Sequence, residues 1–322
     1  MNSRNINLIK KLFPFFSLFI ILIVFTIMRY SMFWSVSNLR AILNNWVPLV
    51  IGGAGLIFVN AQGSVDISLG GTLAFSATIA AILSNSLGYL TFIPIAILIG
   101  LINGLFIGFV VGYFKVPSIM VSLAMMMSLS AIVAYITGGQ SVFISPKLFK
   151  LNEISVKLIA TLIVLIVTAI LFSKTKIGFF SKSIGENEET ARYSGVNVVK
   201  YKMLAFGISG LLAGLAGTFT SASIGGIIPN MGNMYQLQIL MGLFLGGAPV
   251  SGGSGTKYYQ LVLGSLTLAV LQSGLVLMGT SAAISAIIQG LILLIVVYIG
   301  IYSNNKFLAL ETKRASLESL KE

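Results

Sequence analysis

The 322-residue chain contains no cysteine and no histidine. The first absence excludes disulfides and thiol chemistry. The second excludes imidazole catalysis, and together they remove the usual ligands for zinc, copper or haem. Charge is also scarce: Asp, Glu, Lys and Arg make up 9% of residues, against about a quarter in a soluble domain. No nucleotide motif is present. The stretch GGAPVSGGSGTK at 246–257 is glycine-rich, but it lacks the G-x-x-x-x-G-K-[ST] order of a phosphate-binding loop. No cofactor is expected, and the energy for any work must come from another subunit or from an ion gradient. Linkers, low-complexity stretches and a second domain are likewise missing.

Apolar residues are what the chain has in quantity. They make up 57% of it, and the mean hydropathy is +0.99, which marks an integral membrane protein. A span needs about 20 apolar residues. Hydropathy places ten, at 12–28, 47–62, 67–83, 90–113, 117–137, 156–172, 203–224, 235–247, 258–278 and 283–302. The second and eighth are short and glycine-rich, so broken or tilted helices are expected there. Arg29 and Tyr30 follow the first run where a signal peptide would have small residues, which reads as an uncleaved span. The expected fold is an all-α polytopic bundle of ten helices, compact and glycine-rich. Splitting ten as five plus five would give an inverted repeat, because five is odd. One transmembrane domain over 1–302 and a short polar tail over 303–322 complete the expectation.

With the N-terminus inside, the segments facing the cytoplasm hold fifteen basic residues. These are Arg4, Lys10, Lys11, Lys115, Lys174, Lys176, Lys182, Arg192, Lys200, Lys202, Lys257, Lys306, Lys313, Arg314 and Lys321. The outer segments hold five: Arg29, Arg40, Lys147, Lys150 and Lys157. That asymmetry follows the positive-inside rule and puts both termini in the cytoplasm. It also accounts for the net charge of +12 without invoking nucleic acid. Tyr30, Trp34 and Trp46 fall in the first outer loop, as interface anchors would.

Gly100, Gly104, Gly108 and Gly112 recur every four residues in the fourth span, and Gly207, Gly210, Gly214 and Gly217 nearly so in the seventh. Such stripes let helix backbones approach closely. The confident span interiors carry no ionisable residue. Asp66 comes closest, read as a helix cap or loop residue at the cytoplasmic start of the third span, with ion coupling as the alternative. The remaining polar residues are neutral: Asn60, Gln62, Asn103, Ser122, Gln236, Gln238, Gln272 and Gln289. In hydrocarbon they must face other helices or water. Helix–helix hydrogen bonds and a translocation path are both open readings, and neutral amides suit a polyhydroxylated solute better than an ion.

The segment 173–202 stands out because it holds nine of the 28 charged residues between two apolar runs. Asn187, or Ser183 with Glu186, suits a helix cap. Glu188 and Arg192 are spaced i, i+4 with favourable polarity, and Gly195 suits a left-handed C′ position. A surface helix of about two turns is predicted.

Here the chain resembles a known family. The run GENEETARYSGVNV at 185–198 is similar to the cytoplasmic coupling segment of ABC-transporter permeases. The resemblance is to the monosaccharide (ribose-type) importers, with branched-chain amino acid permeases as more distant relatives. VDISLGG at 65–71, the stretch from Asn103 through VPSI at 116–119 to TGGQ at 137–140, and LGGAPVSGG at 245–253 fit in order. The resemblance as a whole covers about 47–302. The resemblance implies a non-catalytic, multi-pass permease of the bacterial inner membrane, surrounded by lipid. It would pair with a second copy or a paralogue, bind cytoplasmic ATPase subunits, and receive its sugar from an extracytoplasmic binding protein. Gly185, Asn187, Glu188, Ala191, Arg192, Ser194 and Gly195 carry over as ATPase-coupling positions, the small side of the helix entering a cleft on the ATPase. Ala248-Pro249 and Thr190 depart from the family's usual residues and leave the solute more open. Branched-chain amino acids, nucleosides or another small solute are alternative cargoes. A secondary transporter using Asp66 is the rival mechanism, and a non-transport scaffold the third.

Overall fold

A computed structural model of the chain describes residues 3–228, 230–249, 253 and 255–298, with side chains from Pro14 onward. The polar tail at 303–322, the last residues of the tenth span and most of the 250–254 glycine-rich turn lie outside the described residues. Lipid offers no partners for free peptide groups, so a membrane chain closes its hydrogen bonds within helices. The elements follow suit: α1 (Ser3–Phe33), α2 (Val36–Ala61), α3 (Leu69–Leu87), α4 (Phe92–Tyr113), α5 (Ser118–Thr137), α6 (Ile154–Lys174), α7 (Lys176–Glu186), α8 (Glu188–Tyr193), α9 (Val198–Ile224), α10 (Tyr235–Leu245), α11 (Tyr258–Leu277) and α12 (Ala282–Tyr298). Eight of these are long and apolar enough to cross a membrane, and α10 and α12 are shorter apolar helices. Two residues each of β1 (Val142–Phe143) and β2 (Gly226–Ile227) pair antiparallel, Val142 opposite Ile227. They tie the chain after α5 to the end of α9.

The chain is therefore an all-α polytopic membrane protein, with corrections to the second span and the first outer loop, while the eighth span is short as expected. The second is neither short nor broken. α2 runs 26 residues, capped by Ser35, whose Oγ accepts from the Asn38 N–H at 3.2 Å. Its first turns escape hydropathy because they carry Asn38, Arg40, Asn44 and Asn45. Two of these pair inside the protein: Asn38 donates to the Phe33 carbonyl (2.8 Å), and Asn44 Oδ1 accepts from Lys157 Nζ (2.6 Å). Trp46, expected in a loop, lies within α2 and donates to Ser265 Oγ of α11 at 3.1 Å. The eighth segment is the truncated one. Eleven residues of α10 extend about 16 Å, roughly half the hydrocarbon thickness.

α4 and α9 lie antiparallel and share the most extensive contact in the bundle. Both glycine stripes meet there. A methyl group on Gly104 would lie 2.0 Å from the Phe206 carbonyl oxygen, and one on Gly210 would lie 2.1 Å from that of Gly100. Gly108 and Gly112 abut Met203 and Val199, while Gly217 turns to Leu73 of α3. Backbone touches backbone, where dispersion replaces the hydrophobic drive that lipid does not supply. α2 and α9 are buried along much of their length, whereas α1, α5 and α6 expose most of theirs. The expectation that the stripes serve packing holds at α4–α9.

Gly104→Val should therefore wedge α4 off α9, at a cost of about 1–3 kcal/mol or more. Thermal unfolding in detergent, followed by fluorescence-detected size exclusion, should show a large drop. Gly290→Val makes the control, because a methyl there meets nothing within 4 Å.

Candidate functional site

The charged segment folds as two helices rather than one. α7 is capped by Thr175, whose Oγ1 accepts from the Ile177 N–H at 3.3 Å. It presents Ser181 and Ile184 inward. Asn187 interrupts the chain with extended backbone and caps α8, its Oδ1 accepting from the Thr190 N–H at 2.9 Å. Ser183, the other cap candidate, bonds back to the Phe179 carbonyl instead (3.1 Å). Gly195 follows α8 with φ +83°, the left-handed turn that favours glycine. Glu188 meets Arg192 at 3.1 Å and Lys202 of α9 at 2.7 Å. This ion-pair fork ties α8 to the start of a transmembrane helix.

The small side of α8 does not face outward. Ala191 is buried with Ile184 and Val198, and Val196 and Tyr201 pack against them. The outward surface carries Glu186, Asn187, Glu189, Thr190, Tyr193, Ser194 and Gly195. Tyr193, 86% exposed, was absent from the sequence expectation. Its signal was there: an aromatic residue two positions after a buried alanine on a short helix projects from the opposite side. Gly185 faces inward too. A methyl on it would lie 1.9 Å from the Ala61 carbonyl oxygen and 3.0 Å from Gly253 Cα. Of the seven expected coupling positions, Asn187, Ser194 and Gly195 are exposed, while Gly185, Glu188, Ala191 and Arg192 are partly or wholly engaged within the chain.

The neutral polar residues separate into groups. Asn60 and Gln62 sit at the hairpin end of α2. Asn60 Nδ2 donates to Thr256 Oγ1 (3.1 Å), and its carbonyl accepts from the Gly253 N–H (2.9 Å). Gln62 Nε2 donates to Ser181 Oγ (3.1 Å) and to the Tyr201 carbonyl (2.9 Å). A second group surrounds the start of α3. Ser122 Oγ reaches the carbonyls of Ser118 (2.7 Å) and Val65 (3.5 Å). Gln236 Nε2 points at Met126 Sδ (3.2 Å), beside Gly70. Gln272 and Gln289 meet each other apart from both groups, between α11 and α12, at 3.4 Å. Gln238 is half-buried on α10. Buried Asn103 Nδ2, Gln236 Oε1 and Gln62 Oε1 have no hydrogen-bond partner among the described residues.

Asp66 is a loop residue, as one half of its reading had it, and not a helix cap. The N-cap of α3 is Ser68, not Asp66, and the cap makes no side-chain hydrogen bond to the helix. Asp66 Oδ1 accepts from the Ser68 N–H (3.0 Å) and Oγ (2.6 Å), and Oδ2 from Ser209 Oγ (2.9 Å). Ser209 lies eleven residues into α9, about 16 Å along its axis. The carboxyl group is thus held well inside the bundle, because the chain after Gln62 turns back between the helices. Depth of this kind cannot be read from hydropathy.

Lys157 was counted as a loop charge, yet it is fully buried in the first turn of α6. Its ammonium donates to Asn44 Oδ1 (2.6 Å), Asn152 Oδ1 (2.5 Å) and Ser223 Oγ (2.8 Å). Three oxygens from three elements replace the water that a cation must lose on burial. Among the described residues no cluster of acidic side chains could hold a metal.

Asn187→Ala should remove the α8 cap and cost about 1 kcal/mol of local helix stability. Hydrogen exchange of the α8 amides should speed up several-fold while that of α9 stays unchanged.

Comparison with known proteins adds the family. Residues 38–297 match the model for the branched-chain amino acid transport system / permease component. The chain is 30% identical to the ribose import permease protein of Haemophilus influenzae, over 89% of this chain and 92% of that one. It is 28% identical to the galactofuranose transporter permease protein of Escherichia coli, over 84% and 80%. It is 27% identical to an autoinducer 2 import system permease protein of Yersinia pestis, over 81% and 76%. No solved structure matches the chain significantly. An all-α membrane bundle with a charged two-helix hairpin, matched over nearly its whole apolar length, thus belongs to the permease-component family of branched-chain amino acid transport systems.

Proposed function

We propose that the chain is the membrane permease of an ATP-driven importer of a monosaccharide, with ribose the first solute to test. The observation that carries this reading is the hairpin. Its inner face is locked by Glu188, Ala191 and Gly185, so a force on its outer face is passed on rather than absorbed. The outer face offers Glu189, Thr190, Tyr193 and Ser194, an exposed aromatic ringed by polar groups, and aromatic anchors of this kind dominate protein interfaces. On this reading the hairpin is the cytoplasmic handle, both termini are cytoplasmic, and ATP hydrolysis belongs to a partner subunit. A binding protein on the far side delivers the solute to a pair of permease chains. The chain itself forms the path and does no covalent chemistry.

The cargo follows from the path. Neutral amides and hydroxyls with spare buried atoms, above all Gln236 and Asn103, can exchange hydrogen bonds with sugar hydroxyls. They offer an ion no charge. Two of the relatives are named for ribose and galactofuranose, which agrees. Ion-coupled transport keeps one supporting observation, the deep position of Asp66. In proteoliposomes holding the chain, its ATPase and its binding protein, labelled-ribose uptake should require ATP and survive a proton uncoupler. Tyr193→Arg should reduce ATPase co-purification by about tenfold or more with folding unchanged, since Tyr193 touches little of its own chain. Uptake by the isolated chain that an uncoupler or Asp66→Asn abolishes would overturn the proposal in favour of a secondary transporter.

A further inference from the structure

We propose that residues 60–68 form a strap that carries hairpin movement into the bundle, with Gln62 and Asp66 as its positioning residues. The proposal rests on the reading of the hairpin as an ATPase handle. The strap begins in the last turn of α2, where three elements meet it. Gln62 Nε2 donates both to Ser181 of α7 and to the Tyr201 carbonyl of α9, while Gly185 presses its backbone on the Ala61 carbonyl. Gly253, in the turn before α11, donates its N–H to the Asn60 carbonyl. Whatever moves α7 must displace this junction.

From there the chain turns at Gly63, with φ +69°, and climbs alongside α9. The N–H groups of Gly63 and Ser64 donate to the carbonyls of Asn60 (3.0 Å) and Val59 (3.2 Å), closing a turn on α2, and the strap meets α9 at the Tyr201 carbonyl and again about two turns further on at Ser209. A short segment held by hydrogen bonds at both ends has little slack and passes on a displacement. Midway, the Val65 N–H donates to Ser118 Oγ (3.0 Å) and the Val65 carbonyl faces Ser122. Both serines belong to α5. At its far end Asp66 grips Ser209 and folds back on Ser68, directly ahead of α3.

α5 is the element fit to respond. It buries only Ser122, Leu129 and Val133, and a helix with few buried contacts is the kind that shifts at low cost. Its Ser122 faces the Val65 carbonyl, and its Met126 abuts Gly71 and Gln236 at the polar group around the start of α3. The strap therefore connects the hairpin to the candidate path through hydrogen bonds and covalent chain, a contiguous physical link of the kind that carries coupling. Gln62 Oε1 is buried with no hydrogen-bond partner among the described residues.

The absence of native cysteine permits a direct test. Spin labels on Tyr135→Cys of α5 and Ile163→Cys of α6, both exposed, report the α5–α6 distance. The labelled chain, complexed with its ATPase and binding protein, is compared nucleotide-free and trapped with ATP and vanadate. With an intact strap the distance should change. In Gln62→Leu the change should fall below about half while ATP hydrolysis stays within about twofold. Ser209→Ala, which frees the far end without touching the hairpin, should do the same. Ser181→Ala removes a single hydroxyl and serves if Gln62→Leu does not fold. A full distance change in these variants overturns the strap. So does an equal loss in Gln272→Leu, which lies outside it and would mark general loosening. No nucleotide-driven change in the unaltered labelled chain would instead overturn the transport reading, and the strap with it.

Discussion

The close approach of α4 to α9 is the constraint on which the other arrangements depend. Lipid tails are as apolar as leucine, so helices in a bilayer gain little from hiding apolar side chains from one another. What remains is contact, and contact is closest where glycine lets backbones touch. With Gly100, Gly104 and Gly108 laid against Gly210, Phe206 and Met203, α9 becomes a fixed post. Its start receives Glu188 through Lys202, its middle receives Asp66 through Ser209, and its end receives Lys157 through Ser223. Each polar tie lands on a helix whose place is set by backbone contact.

The buried polar atoms divide by what they accomplish. Asn38, Asn44, Trp46 and Lys157 are paired and hold helices to one another. Gln62, Asn103 and Gln236 each keep a buried atom with no hydrogen-bond partner among the described residues. Leaving such an atom unpaired costs about 1–3 kcal/mol, more than an ordinary hydrogen bond contributes. A protein retains that cost where the atom has another partner at another moment, whether a solute or a second arrangement of the same chain. The spare atoms of Gln62 and Gln236 fall at the two ends of the route from the hairpin to the start of α3.

Much of this was legible in the residues. Composition marked the membrane class, and the two glycine stripes named the helices that pack. The hairpin's cap, its i, i+4 ion pair and its left-handed glycine were readable because these are local interactions within a turn or two. Other features were hidden for equally physical reasons. The first turns of α2 look like loop because Asn38 and Asn44 lower the hydropathy, and among the residues that satisfy them are Ser273, 235 positions from Asn38, and Lys157, 113 positions from Asn44. Lys157 looks like a loop charge until Asn44, Asn152 and Ser223 come together around it. Ala191 has a small side chain that fits a partner's cleft or the chain's own core equally well, and the packing of Ile184 and Val198 decides for the core.

By itself, then, the sequence determined the class, the helical character, the packing stripes and the form of the charged hairpin between two apolar runs. Each of these follows from short-range periodicity or from the composition of one segment. Tertiary structure alone decided which way the hairpin's faces point, that the chain turns back after Gln62, and that Asp66 ends beside Ser209 deep in the bundle. Those outcomes depend on which distant helix supplies a hydrogen-bond partner. That choice is settled only once the glycine-lined backbones have come together and placed every other group at a definite depth.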